Sequence, residues 1–153
     1  MTSAYAIQNE TTETFHSINP ATGEHIQSFQ SHTYDEAVHT IEQANTAFKH
    51  WKKESIHKRA EIIRAIGKSF AENKDKLAKM ITTQMGKPIA QSRAEVDLCV
   101  QVCDYTAKEC IHKLEEQTRT INGGKGKIIF EPMGVILAMQ PWNFPLYQVV
   151  RYS

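Results

Sequence analysis

The three cysteines carry the most reactive side chains of this sequence. A thiolate can act as a nucleophile or as a metal ligand, and Cys99, Cys103 and Cys110 follow one another at spacings of four and seven residues. These spacings place them on one helix, with Cys103 and Cys110 on its apolar stripe, where a free cysteine packs as a small hydrophobe. With His112 nearby the thiols could instead bind a metal, although long continuous helices are an unusual frame for such ligands. We therefore predict buried thiols and no metal site.

A second feature that could do chemistry is the glycine-rich, basic segment at residues 122–127, Asn-Gly-Gly-Lys-Gly-Lys. It lacks the spacing and the trailing Ser or Thr of a phosphate-binding loop, so a hairpin turn is the better interpretation. The seven histidines are scattered and include no His-Glu-x-x-His pair. Their pattern favours solvated surface side chains.

The third such feature is the segment at residues 140–145, Gln-Pro-Trp-Asn-Phe-Pro, which follows a continuous apolar run at residues 134–139. Such a run is typical of a strand covered on both faces in a parallel sheet. Ligands of open α/β sheets bind outside the carboxyl ends of their strands, so this loop is placed where a ligand would bind. On its residue type alone, Asn143 could equally be a turn former or a helix cap.

The elements that must position this loop are mainly helical. Turn signals at residues 19–20 and 22–23 separate two short segments, residues 15–18 and 25–29, which predicts a β-hairpin. Thr33 and Glu36 then have the spacing of a capping box at the start of a helix.

Four helices follow with apolar residues at 3.6-residue spacing. Ser55 is a predicted N-cap of the second helix, and Gly86-Lys87-Pro88 is a predicted stop after the third. The predicted apolar stripes, in chain order, are Ala37, Ile41, Ala44, Phe48 and Trp51; Ile63, Ile66 and Phe70; Leu77, Ile81 and Met85; and Val96, Val100, Cys103, Ala107, Cys110 and Leu114.

After residue 115 the pattern predicts strands at residues 118–121 and 127–131, joined by a turn at residues 122–126. Pro132 ends the second strand, the buried-type strand follows at residues 134–139, and a helix begins at Pro145 or Leu146. A buried-type strand needs parallel neighbours and helices on both faces. Only one is present, so the sequence predicts the start of a larger α/β protein.

Composition excludes several classes of protein. The 153 residues, 41% apolar and 23% charged, suffice for one globular domain. A formal charge of +1 gives no reason to expect nucleic acid or an anionic membrane as a partner. The longest apolar stretch, residues 133–139, is too short to span a bilayer, and the first ten residues lack a secretory signal. An odd number of cysteines does not form a disulfide framework, which favours a reduced, cytoplasmic compartment.

Four segments together resemble the aldehyde dehydrogenase family. Their order and separations fit the family from about residue 17 onward, and some of them look most like bacterial succinate-semialdehyde dehydrogenases. The segments are Asn-Pro-Ala-Thr-Gly-Glu at residues 19–24, Met-Gly-Lys-Pro at 85–88 (with Arg-Ala-Glu-Val at 93–96), Glu-Pro-Met-Gly-Val at 131–135 and Pro-Trp-Asn-Phe-Pro at 141–145.

The resemblance implies roles for five residues. Asn143 matches the side-chain amide donor of the family's oxyanion hole, and Gln140, Pro141 and Trp142 match the stretch that lines the cofactor cleft. Gln140 departs from the aliphatic residue commoner there, and Trp142 could equally be a packing anchor. Arg151 stands where succinate-semialdehyde enzymes often place an arginine for the substrate's distal carboxylate, which a guanidinium fork can grip. A solvated charge on a helix surface is the alternative for Arg151.

The resemblance also implies a fold and an activity. The expected architecture is α/β: a flexible segment at residues 1–14, a helical part of the cofactor-binding domain at 15–115, an oligomerisation β-arm at 116–132 and the first strand of a Rossmann-like parallel sheet within 133–153. The family oxidises an aldehyde, here succinate semialdehyde, with NAD or NADP through a cysteine thioester, as a homo-oligomer.

This chain has no match to the family's nucleophile motif or its general-base Glu, so we expect the 153 residues alone to be inactive. A non-catalytic interaction module and a thiol or metal protein are the alternatives.

Overall fold

The computed structural model describes residues 12–152. Within that range it contains five helices and two separate two-stranded sheets. The elements are β1 (Thr14–Ile18), β2 (His25–Gln30), α1 (Tyr34–Trp51), α2 (Ile56–Glu72), α3 (Lys74–Met85), α4 (Ile89–Lys113), β3 (Gln117–Ile121), β4 (Gly124–Ile128) and α5 (Pro145–Tyr152).

The first two strands form the predicted hairpin. They pair antiparallel with Phe15 opposite Phe29, and the connecting turn is closed by the Asn19 side chain, whose Oδ1 accepts from the Ala21 amide at 3.0 Å. The predicted flexible start falls largely on residues 1–11, which lie outside the described residues. Thr14, assigned to that start, already belongs to β1.

Helix α1 begins at the predicted capping box. Thr33 Oγ1 accepts from the Glu36 amide at 3.1 Å, and Glu36 Oε2 accepts from the Thr33 amide at 2.8 Å. The Thr33 hydroxyl also donates to Glu36 Oε2 at 3.2 Å, and the hydrogen bonds from the Thr33 amide and hydroxyl to this carboxylate hold the pKa of Glu36 below its usual value. The apolar stripe of α1 is nevertheless uncovered, since no residue of α1 is buried and Ile41 is 61% exposed.

Helix α4 is the centre of the packed part of the chain, with α2 and α3 against it. Its predicted stripe is confirmed where Val96, Cys103 and Ala107 are buried. Leu114, assigned to the same stripe, is exposed because it follows the last residue of the helix. A core cluster of Ala78, Ile81 and Val96 joins α3 to α4.

Helix α2 approaches α4 most closely at Gly67, and two residues of the predicted stripe, Ile63 and Phe70, are half-buried on the same side. A Cβ added at Gly67 would lie 2.8 Å from the Cβ of Cys103, so the two helices approach closely at that point. The contacting face is therefore centred on Ala60 and Gly67, which are buried. Ile66 was predicted to be buried and is 38% exposed, because the neighbouring glycine occupies the closest contact.

This close approach predicts that Gly67→Ala lowers the melting temperature of the protein. Helix propensity alone would raise stability by about 1 kcal/mol. Two backbone-attached carbons at 2.8 Å require the helices to separate, an overpacking cost of up to about 3 kcal/mol. Thermal unfolding of the wild-type and variant chains checks the sign, and a higher melting temperature for the variant would contradict the packing described.

The second hairpin differs from its prediction. Residues 121 and 124 are paired, so the turn consists of Asn122 and Gly123 alone, and β4 begins at Gly124. Gly123 has a φ of 85°, and an Asn-Gly turn of this kind matches the twist of the flanking strands. The predicted turn at 122–126 and strand at 127–131 were therefore wrong in their bounds: β4 spans Gly124–Ile128, and among the described residues none pairs with residues 129–131.

The apolar run at residues 134–139 does not form a strand in the structure. A strand is held by hydrogen bonds to a neighbour, and among the described residues none pairs with this run. Leu137 is consequently 86% exposed. The helix predicted after the run is confirmed as α5, which begins at Pro145. None of the helices within residues 12–152 is long and apolar enough to cross a membrane.

Candidate functional site

Asn143 lies in a turn directly before α5 and is exposed. The residue that caps the helix is Phe144, whose carbonyl accepts from the Gln148 amide at 2.9 Å. Pro145 is the first helical residue, a position that suits its fixed φ and its missing N–H. Asn143 is therefore not the helix cap, and its side-chain amide makes no hydrogen bond to another described residue.

A buried ion pair lies beneath this turn. Glu95 of α4 and Lys87 are both buried, and Lys87 Nζ donates to Glu95 Oε2 at 2.5 Å. The other carboxylate oxygen of Glu95, Oε1, accepts from the backbone amides of Leu146 at 2.9 Å and Tyr147 at 3.2 Å. The Lys87 ammonium also lies 3.7 Å from the centroid of the Phe144 ring. These contacts connect α4 and the α3–α4 link to the beginning of α5.

The sequence around Lys87 explains its placement. Gly86 ends α3 with a φ of 80°, a left-handed conformation that glycine adopts without strain. A Cβ at Gly86 would also lie 2.9 Å from Pro20 Cγ, so two of the motif segments meet there. Across the link, the hydroxyls of Thr82 and Ser92 are 2.9 Å apart and hold the end of α3 to the start of α4.

An open, mostly apolar groove of about 580 Å³ lies between the first hairpin, α3 and the start of α5. Trp142 lines it and is 75% exposed, so its ring is not packed in the core. The groove brings three of the four motif segments to one place. Its lining residues are Ser17, Pro20, Leu77, Met80, Ile81, Gln84, Met85, Trp142, Pro145 and Leu146.

The other predicted site residues lie at the two ends of this region. Gln140 precedes the turn, and its side-chain oxygen is buried with no hydrogen-bond partner among the described residues. Pro141 is exposed. Arg151 is exposed in the last turn of α5, with its guanidinium carbon 5.7 Å from the Tyr152 ring centroid.

The cysteines are not placed for nucleophilic chemistry. Cys103 is buried, which confirms its predicted place on the apolar stripe, and Cys110 of the same stripe is half-buried. Cys99, which was not assigned to the stripe, is buried as well. Burial, reinforced by the charge of Glu95, raises the pKa of the Cys99 thiol to about 12. Burial also raises the pKa of Cys103. Within residues 12–152, no three His, Cys, Asp or Glu side chains are grouped to hold a metal ion.

The raised pKa values predict slow alkylation of the folded protein. The thiolate is the reactive form, so at pH 8 Cys99 and Cys103 should react with iodoacetamide much more slowly than Cys110. Because the folded-state pKa of Cys99 lies above its ordinary value, the stabilisation from keeping this thiol neutral is lost as pH rises from about 9 toward about 12. Peptide mass spectrometry after timed alkylation checks the order. Equal rates at all three cysteines would contradict the burial.

The family follows from comparison with known proteins. A sequence profile of the aldehyde dehydrogenase family matches residues 7–152. This chain belongs to the aldehyde dehydrogenase family. Its curated relatives include the succinate semialdehyde dehydrogenase [NAD(P)+] Sad of Escherichia coli K12, 39% identical over 135 residues, which are 88% of this chain and 29% of Sad.

Further relatives agree with this family. The NADP(+) succinate-semialdehyde dehydrogenase of Deinococcus radiodurans is 34% identical over 91% of this chain and 29% of its own length. A crystal structure of succinic semialdehyde dehydrogenase from Streptococcus pyogenes, in complex with NADP+, superposes with a TM-score of 0.84 at 31% identity, covering 90% of this chain and 30% of that one. The chain thus spans about 29–30% of the length of these aldehyde dehydrogenases, and the expected α/β fold of the family's N-terminal part is confirmed.

Lys87 and Glu95 lie within motif segments of the sequence, and the motifs predicted no role for either residue. A signal was present: at helical spacing, Glu95 lies on the buried face of α4 with Ser92, Val96 and Cys99. A buried carboxylate needs a charged or hydrogen-bonded partner. What the pattern could not supply was the partner's identity.

Proposed function

We propose that this chain supplies the oxyanion donor and part of the cofactor cleft of an NAD(P)-dependent aldehyde dehydrogenase that oxidises succinate semialdehyde to the carboxylic acid. One observation carries the proposal: in a member of this family, the Asn143 side chain is exposed and makes no hydrogen bond to another described residue. It belongs to a turn whose next residues are held by the buried side chains of Glu95 and Lys87.

Asn143 would stabilise the negative charge that develops on the aldehyde oxygen. A cysteine thiolate bonds to the carbonyl carbon, a hydride then leaves that carbon, and water hydrolyses the resulting thioester. Charge collects on the oxygen during attack, and a donor already held in place stabilises it without reorganising. The nucleophile is none of this chain's cysteines. The burial of Cys99 and Cys103 supports that view.

Residues 140–142 would border the dinucleotide. The unpaired side-chain oxygen of Gln140 is buried, so this side chain would have to turn outward before its oxygen could accept a hydrogen bond from a ribose hydroxyl. The exposed Trp142 ring offers an apolar surface beside it, and Pro141 fixes the backbone between them. When bound, NAD or NADP supplies the hydride acceptor.

Arg151 would bind the distal carboxylate of succinate semialdehyde. We expect Arg151→Met to raise KM for this substrate by about 10- to 100-fold, the equivalent of one charge-assisted hydrogen-bond pair, with KM for butanal nearly unchanged. The measurement uses a chimera in which this chain replaces the matching segment of E. coli Sad, hereafter the Sad chimera. Arg64→Met, at an exposed position of α2, is the control, and an equal rise in KM for both aldehydes would indicate a surface charge.

The second hairpin is proposed as the arm through which subunits form a homo-oligomer. Among the described residues, β3 and β4 pair only with each other, and Ile121 and Ile128 are exposed. A two-stranded hairpin is marginally stable alone, so pairing with another subunit would stabilise it.

The Sad chimera also tests the activity itself. We expect it to reduce NAD or NADP with succinate semialdehyde, while the 153-residue chain alone gives no turnover. Turnover by the chain alone that disappears on replacing Cys99, Cys103 or Cys110 would overturn the proposal, as would a folded but inactive chimera.

A non-catalytic interaction module is the second candidate. The exposed apolar run at residues 134–139 favours it, because such a run needs strand neighbours to cover it. It predicts that the chain co-purifies with full-length Sad subunits and changes their oligomeric state.

A further inference from the structure

We propose that Glu95 and Lys87 are positioning residues that hold the turn of Asn143 in its productive place. The inference rests on the function proposed for Asn143 and adds two residues that act through it. It is carried by the contacts that fix the chain immediately after Asn143, at Phe144 and at the first amides of α5.

Glu95 satisfies the backbone donors of the first turn of α5. A helix leaves its first amides without internal partners, and Phe144 at the cap position has no side-chain acceptor to offer. Pro145 has no N–H, the amides of Leu146 and Tyr147 both donate to Glu95 Oε1, and the next amide, that of Gln148, donates to the Phe144 carbonyl. Every donor of that turn is thus accounted for, and the helix start is fixed from α4.

Charge favours the same arrangement. A carboxylate at a helix N-terminus interacts favourably with the partial positive charge of the aligned peptide groups. Glu95 is fully buried, so this interaction and its 2.5 Å contact with Lys87 are little screened by solvent. The positive end of α5 is therefore neutralised by the Glu95 carboxylate of the same chain.

Lys87 holds the residue adjacent to Asn143. Its ammonium pairs with Glu95 Oε2 and lies 3.7 Å from the Phe144 ring centroid, within the range of a cation–π contact. The backbone is thereby fixed at Phe144 by Lys87 and at Leu146 and Tyr147 by Glu95. Because Asn143 directly precedes Phe144, the contacts of Lys87 and Glu95 together restrict the position of its backbone.

The positioning is tested first by amide hydrogen exchange on the 153-residue chain. Glu95→Ala should speed amide exchange at Leu146 and Tyr147 by about tenfold, because each amide loses one part-buried hydrogen bond to a carboxylate. The control is Asp97→Asn, two residues further along α4, which removes the charge of the partly exposed ion pair with Lys74 of α3. Unchanged exchange at Leu146 and Tyr147 in Glu95→Ala would overturn the proposal whether or not the Sad chimera is active.

Kinetics in the Sad chimera separate positioning from general stability. Glu95→Ala should lower kcat by about 10- to 100-fold, since a displacement near 1 Å at a catalytic group has effects of that size, with KM for the cofactor unchanged. Glu95→Gln keeps an acceptor for the two amides and should recover part of the loss, while Asp97→Asn should retain wild-type kcat.

The decisive comparison combines Glu95→Ala with Asn143→Ala. If Glu95 acts through Asn143, adding Glu95→Ala to the Asn143→Ala enzyme should change kcat less than twofold. If the two losses multiply, as independent effects do, the positioning role is excluded. Failure of the parent chimera to oxidise any aldehyde would refute the proposed function, and the exchange result would still decide whether Glu95 fixes the turn.

Discussion

Asn143→Ala should lower kcat of the Sad chimera with succinate semialdehyde by about 100- to 1000-fold, the usual effect of removing one oxyanion-hole donor. KM should change little, because the negative charge on the aldehyde oxygen develops only as the thiolate attacks. The side chain is exposed and makes no hydrogen bond to another described residue, so the folded chain should lose little stability. Steady-state kinetics and thermal unfolding of the same preparations measure the two quantities.

The control for this prediction is Asn45→Ala, which removes the same side chain from an exposed position in α1. It should leave kcat at the wild-type value. A loss of kcat below about tenfold for Asn143→Ala, or an equal loss for both variants, would show that the amide does not stabilise the oxyanion.

Lys87→Met should lower the free energy of unfolding by about 3–5 kcal/mol, because it leaves Glu95 as an uncompensated charge in the interior. The comparison variant Lys74→Met breaks the ion pair between Lys74 of α3 and Asp97 of α4, in which the lysine side chain is 37% exposed. Pairs with solvent access contribute about 0–1 kcal/mol, so this variant should stay close to wild type. Urea unfolding followed by circular dichroism gives both values.

If Lys87→Met abolishes the cooperative unfolding transition, its free energy of unfolding cannot be measured. A double variant then tests the prediction. Lys87→Met with Glu95→Gln removes both charges and keeps an acceptor for the amides of Leu146 and Tyr147. It should be more stable than Lys87→Met alone. A single variant as stable as Lys74→Met would contradict the burial of this pair.

Local features of the fold were predictable from the sequence because their causes lie within a few residues of each other. The capping box of Thr33 and Glu36, the left-handed Gly86 and the proline that begins α5 each depend on neighbours along the chain. The two-residue turn at Asn122 and Gly123 was predicted too long, although an Asn-Gly pair is a strong signal for a short turn.

Features that depend on distant contacts were not predictable. Residues 134–139 have the pattern of a buried strand, but a pattern cannot provide the neighbour to which a strand must bond. The contact of Gly67 with Cys103 displaced Ile66 from the predicted interface, since a stripe on one helix does not reveal where its partner approaches. For the site, the motif located Asn143 through family resemblance. The contact of Glu95 with Leu146 spans 51 residues and has no local signature.

Glu95 binds backbone groups on one side and a side chain on the other, and this difference matters when chimeras are made between this chain and its relatives. The α5 groups that donate to Glu95 are backbone amides, which almost any sequence has. A crossover between residues 113 and 140 therefore leaves those hydrogen bonds intact. Lys87 is a side-chain partner, and its second contact is the ring of Phe144. A crossover between residues 88 and 94 therefore risks separating the two charges. Shuffled libraries should keep positions 87 and 95 within one block and can draw α5 from another parent, provided that it retains an aromatic residue at position 144.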